Sequence, residues 1–129
     1  MENEITLKKD VNTGVEWFFD NKKIYIKYGE EGGGAVYSKQ YKLVVIMNYK
    51  KELFELDMNV YTLEGKLIGE VKPCKNYILS YAYITSHPYA KSNVAVVAEC
   101  GKNEGDFNQW HFSVDLDNFE ISEKIAPAY

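Results

Sequence analysis

A chain of 129 residues, 46% of them apolar, is long enough to bury a core as one domain (residues 1–129) and too apolar to be disordered. The net charge is −4 and all 15 basic residues are lysine. Without arginine there is no planar fork to read phosphates or guanine edges, so the composition argues against direct nucleic-acid binding.

The 11 Tyr, 6 Phe and 2 Trp favour strands, because aromatic side chains pack well on a pleated surface. The longest apolar run, Leu43 to Met47, is far too short to span a bilayer, so no membrane contact is expected. Met1-Glu2-Asn3-Glu4 is acidic and unlike a secretory signal. A cytoplasmic protein is expected, with Cys74 and Cys100 as free thiols.

Residues Met1 to Gly14 show no period. Val15–Phe19 and Lys23–Tyr28 read as strands flanking an Asp20-Asn21 turn. The next stretch, Gly29-Glu30-Glu31-Gly32-Gly33-Gly34, lacks the Lys-Ser/Thr ending and the helix of a phosphate-binding loop, and its carboxylates would repel phosphate. A flexible connector is expected there, and no cofactor.

Ala35–Ser38 and Tyr41–Asn48 are the next strands, the second apolar enough to be buried on both faces. Leu53 to Val71 is the most strongly patterned segment. Phe54, Leu56, Met58 and Val60 share one parity, and Glu55, Asp57, Asn59 and Tyr61 the other, which predicts a half-buried strand. Gly65 supplies the turn into its partner, Lys66–Val71. Beyond Pro73, strands are expected over Tyr77–Thr85, Asn93–Cys100, Asn108–Asp115 and Asn118–Lys124, separated by loops at His87-Pro88 and Gly101–Asp106. No window shows helical periodicity. The expected fold is all-β, an antiparallel meander of about eight strands.

A faint repeat runs through the meander. Tyr61–Ile68 aligns with Val114–Ile121 at an offset of 53, which sets Gly65 on Asn118. Val44-Val45-Ile46 similarly matches Val96-Val97-Ala98. Each unit, about 23–72 and 77–125, resembles a four-stranded propeller blade. Two such units would pack as a sandwich, curl into an open barrel, or build a ring from several subunits. Chance similarity between amphipathic hairpins explains the match equally well.

His111, Ser113 and Asp115 share the polar parity of one strand. Neighbours on a strand face stand about 6.5–7 Å apart, and no oxyanion hole is visible, so no catalytic residue is assigned. Cys74, His87, Cys100 and His111 are separated by 13, 13 and 11 residues, with no close pair to start a metal knuckle, so no metal is assigned either.

Charge patterning is more informative. Between Glu99 and Glu120 there are six acids and one base, Lys102, for a net −5. Glu55 and Asp57, and Glu30-Glu31, add further negative patches. Acids mixed with aromatics suit docking to a basic protein, through fast encounter and aromatic anchoring. The expected partner-binding set is Glu30, Glu31, Glu55, Asp57, Tyr61, Glu99, Asp106, His111, Asp115 and Asp117. A solvated acidic edge kept for solubility is the competing explanation.

As a short, acidic, Tyr-rich, Lys-only β protein, with Gln109–Asp115 and the tail Ile125–Tyr129 as its most familiar stretches, the chain resembles the immunity proteins of bacterial toxin–immunity pairs of the contact-dependent growth inhibition type. That resemblance implies a non-enzymatic protein that occludes a cognate toxin, such as a basic nuclease, and works as a monomer or small homo-oligomer. One rival expectation is a lectin-like module binding sugars on Tyr and Trp rings within an oligomeric ring. Another is a small hydrolase built on the His111 face.

Overall fold

The computed structural model describes residues 5–52, 54–104 and 107–128, with the backbone alone for residues 100–104, 107 and 108. Alternating burial carries these residues into eleven strands and three antiparallel sheets. The first sheet holds β1 (Lys8–Asp10), β2 (Gly14–Phe19) and β3 (Lys22–Lys27). The second holds β4 (Gly33–Ser38), β5 (Leu43–Asn48), β6 (Asp57–Thr62) and β7 (Leu67–Glu70). The third holds β8 (Leu79–Ser86), β9 (Val94–Glu104), β10 (Phe107–Asp115) and β11 (Glu120–Pro127).

The all-β class is as expected. The strand count and layering are not: three sheets replace a meander of about eight strands, and none of them closes into a barrel. The extra layer comes from the N-terminal quarter. β1 is exposed at all three positions, so it carries no alternation to detect. Lys22–Lys27 pairs with β2, so the repeated unit expected from about residue 23 begins at Gly33.

The second sheet is the middle layer, and its two faces bury different cores. Val36, Val45, Met47, Met58 and Val60 pack against Tyr81, Val94, Val96, Phe112 and Val114 of the third sheet. Ala35, Val44 and Ile46 pack against Val15 and Trp17 of the first. β5 is therefore buried on both faces, as its apolar run predicts. Side-chain hydrogen bonds tie the layers. Trp17 Nε1 donates to Leu63 O at 2.8 Å, joining the first sheet to the second. Buried Ser38 Oγ donates to Ser92 O at 2.6 Å, and Ser92 Oγ donates to Val114 O at 2.7 Å, joining the second to the third.

Two local expectations change. The glycine run is a packing joint, not a flexible connector. Gly32 has φ +80, and a side chain on Gly34 would start 2.7 Å from Tyr49 Oη and 2.8 Å from Ile84 Cγ2. Only hydrogen lets these groups close on the start of β4. The patterned hairpin also starts later than its alternation suggests. Glu55 N donates to Glu52 O at 3.0 Å, a turn occupies this region, and Phe54 is 66% exposed.

The turn that follows matches expectation, with Gly65 at φ +88 and Gly65 N donating to Thr62 O at 3.0 Å. In the third sheet the left-handed residue is Phe119 (φ 53) and not Asn118. Phe119 lies against Gly69, where an added Cβ would sit 2.5 Å from its ring, so tertiary packing decides which residue takes the strained conformation.

Candidate functional site

On a half-buried strand every second side chain faces outward, and a run of three aromatics must expose at least one of them. Trp17-Phe18-Phe19 of β2 does this. Trp17 is fully buried, Phe19 packs on the inner core, and Phe18, the last but one residue of the strand, is 65% exposed. Across β3, Tyr25 is 52% exposed on the same outward face. Its hydroxyl donates to Thr13 O at 3.3 Å, and a Cβ on Gly14 would meet the hydroxyl oxygen at 2.8 Å, so the tip of the ring sits against Gly14.

The surroundings of this pair are charged. Lys23 Nζ stands 2.9 Å from Glu16, and this contact holds the Glu16 carboxyl below the usual carboxylate range. Lys8 pairs with Glu16 in register, and Lys27 pairs with Gly14. Two aromatic anchors inside a mixed-charge rim have the composition of a contact surface. Sequence reasoning passed over this face. The available signal was the parity of the aromatic run, set against Tyr25 of the next strand.

The expected acidic set scatters. Glu30, Glu31 and Asp57 come together around a cavity of about 370 Å³, but Lys50 and Lys51 line it as well. Lys50 pairs with Asp57 at 3.3 Å and Lys51 with Glu31 at 3.6 Å. Glu55 is exposed in the turn before β6. Tyr61 is half-buried between the first and second sheets, where burial and then Asp57 push its hydroxyl pKa up. Glu99 is exposed on β9, in register with Gln109 and Ser80. Asp106 lies outside the described residues.

Asp115 and Asp117 meet at the β10–β11 turn in different roles. Asp115 accepts from Asp117 N at 2.8 Å, Asn118 N at 3.2 Å and Asn118 Nδ2 at 3.0 Å. Burial alone would raise its pKa, but these donors together outweigh burial and hold it below the usual carboxylate range. Asp117 accepts from Lys91 Nζ at 2.9 Å and Tyr41 Oη at 2.8 Å, which lower its pKa in that order. The hydrolase set does not assemble as a relay. Asp115 spends its oxygens on the turn, Ser113 is buried, and the ring facing His111 is His87, with centroids 4.7 Å apart.

A concavity of about 780 Å³ lies between the N-terminal segment, β4 and β8. Lys9, Tyr49 and Ile84 are among its walls, and none of the expected partner-binding residues lines it. Among the described residues, no group of three or more His, Cys, Asp or Glu converges to hold a metal, and no helix is long and apolar enough to cross a membrane. Cys74 is a buried free thiol. Comparison with known proteins finds no matching family model, no matching curated protein and no matching solved structure.

Proposed function

We propose that this chain works by binding a partner protein and occluding it, without chemistry of its own, in the manner of an immunity protein that neutralises a cognate toxin. The observation that carries the reading is the outward pair Phe18 and Tyr25, exposed on one face of the β2–β3 hairpin and ringed by Lys8, Glu16, Lys23 and Lys27. A folded chain gains nothing from leaving two aromatics in water, whereas a partner that desolvates them gains their whole buried area. The net charge of −4 favours a basic partner by speeding encounter.

The test is co-expression with the product of the gene adjacent to this chain's own, in cells whose growth that product arrests. The wild type should restore growth, and the double variant Phe18→Ala, Tyr25→Ala should fail to, while keeping its circular dichroism and melting temperature. Full protection by the double variant would remove this face as the contact surface. Failure of the wild type would remove the immunity reading itself.

One observation favours a second reading, a lectin-like module. The Tyr25 ring is 52% exposed with its hydroxyl anchored on Thr13 O, and an exposed, tethered aromatic suits stacking against a sugar ring. Millimolar binding of a soluble oligosaccharide that quenches on Tyr25→Ala substitution, by a chain that sediments as an oligomer, would support that reading over the first.

A further inference from the structure

The loop that joins β8 to β9 folds back over the outer face of the third sheet. Its turn is closed by His87 N donating to Asn93 O at 3.2 Å, Ala90 N to His87 O at 3.2 Å and Asn93 N to Ala90 O at 2.9 Å. Within it, Tyr89 N donates to His87 Nδ1 at 3.1 Å. A nitrogen that accepts an N–H bond carries no proton, so neutral His87 holds its hydrogen on Nε2. The His87 ring is edge-on to Tyr89 at 5.1 Å and tilts over His111 of β10 at 4.7 Å, and His111 Nδ1 is buried with no hydrogen-bond partner.

We propose that His87 is a proton-operated latch that holds the Pro88–Ala90 turn against the outer face of the third sheet and releases it in mild acid. Protonation must occur at Nδ1, where it converts the acceptor of Tyr89 N–H into a donor pointed at a donor. It also sets a cation against the His111 ring. The rings that touch the latch carry no negative charge, and among the acids of that face Glu123 of β11 lines the cavity beside Tyr89. His111 faces it from β10 and Tyr89 from its own loop. The strands flanking His111 place Val97 and Ala126 in register with it, and β8 places Tyr83 opposite Val97.

Of the carboxylates on that face, Glu99 is two residues beyond Val97, and Asp115 is engaged by the β10–β11 turn. Lys91, farther along the loop, is held by Asp117. The His87 pKa lies below the ordinary histidine value, through burial first and His111 second, in agreement with this geometry. Release stays local, because Ser92 anchors the far half of the loop through Ser38, Val94 and Val114. The inference is independent of the partner-binding reading: it concerns the shape of the His111 face at different pH, whatever that face meets.

The chain has 2 histidines, so nuclear magnetic resonance can follow both imidazoles and the Tyr89 amide between pH 7.5 and 5. The Tyr89 amide should shift, and lose exchange protection, with the same midpoint as the His87 ring, below the ordinary value of about 6.5. His87→Asn, which keeps a non-titrating acceptor near the Nδ1 position, should leave that amide unresponsive to pH. His111→Asn should raise the His87 midpoint toward the ordinary value. A Tyr89 amide that stays fixed while His87 titrates, or a His87 midpoint at or above the ordinary value, would overturn the latch.

Discussion

Replacing Trp17 with Phe tests whether the first sheet is docked by a specific tie or only by general apolar contact. Trp17 is 1% exposed and is the largest side chain in the core between the first and second sheets. Its Nε1 donates to Leu63 O at 2.8 Å, across 46 residues of sequence. Losing that bond costs about 1 kcal/mol. Shrinking indole to phenyl removes about three ring atoms from a packed core, roughly another 1–2 kcal/mol. The sum is about 2–3 kcal/mol, against about 3–5 kcal/mol for Trp17→Ala. With a urea dependence of about 1–3 kcal/mol per molar, the Phe variant should unfold about 1 M earlier.

The substitution leaves Trp110, in the third sheet, as the one tryptophan, so its fluorescence reports that layer while circular dichroism reports all three. The two transitions should coincide, because both faces of the middle sheet are buried and no layer keeps a complete core alone. A shift below about 0.3 M would refute the tie, since the hydrogen bond alone predicts more than that. Separate transitions would show the first sheet to be an independent unit.

Four further outcomes are expected. Tyr28→Phe should stabilise the fold by about 1 kcal/mol in urea melts, because the buried Tyr28 hydroxyl has no hydrogen-bond partner. The same hydroxyl has its pKa pushed up to about 12 by burial first, so its ionisation leaves stability unchanged below the ordinary value of about 10 and lowers it as pH rises from there through the folded value; ultraviolet titration at tyrosinate wavelengths should find Tyr28 among the late-ionising tyrosines. Asp115→Ala should cost about 1 kcal/mol, and Asp115→Asn less, because Asn keeps an acceptor for the turn amides; thermal melts rank the two. Because the Asp115 pKa is lowered, its contribution is present above the ordinary carboxylate value and disappears as pH falls through its folded value, which an acid titration by circular dichroism follows.

Much of the fold was legible in periodicity, and the misses have identifiable physical causes. β5 declared itself by an apolar run with no polar parity, and it is buried on both faces. Phe54 had the correct parity, but strand pairing ends at Asp57, and alternation cannot show where pairing stops. Asn118 was the residue type suited to left-handed φ, yet contact with Gly69 gives that conformation to Phe119. The glycine run looked like slack chain because its neighbours Val11, Tyr49 and Ile84 are distant in sequence. The candidate acids were visible as charges, but their partners were not. Lys91 meets Asp117 across 26 residues, and nothing local in the sequence links them.

That distinction decides how the acidic surface can serve a binding protein. During approach, within the screening length of about 8 Å, a partner responds to summed charge, and local pairing does not change the sum of −4. At contact, however, each acid must be available. Asp117 and Asp57 are held by exposed lysines, and solvent screens such pairs, so an incoming cation can exchange with Lys91 or Lys50 at little cost. Asp115 cannot be recruited in the same way, because its oxygens hold the β10–β11 turn. The charges that can be exchanged thus lie apart from Phe18 and Tyr25, on different sheets. If the chain occludes a toxin, neutralising the acids should slow association, and truncating the two aromatics should speed dissociation. Those rate constants separate the two contributions more clearly than affinity does.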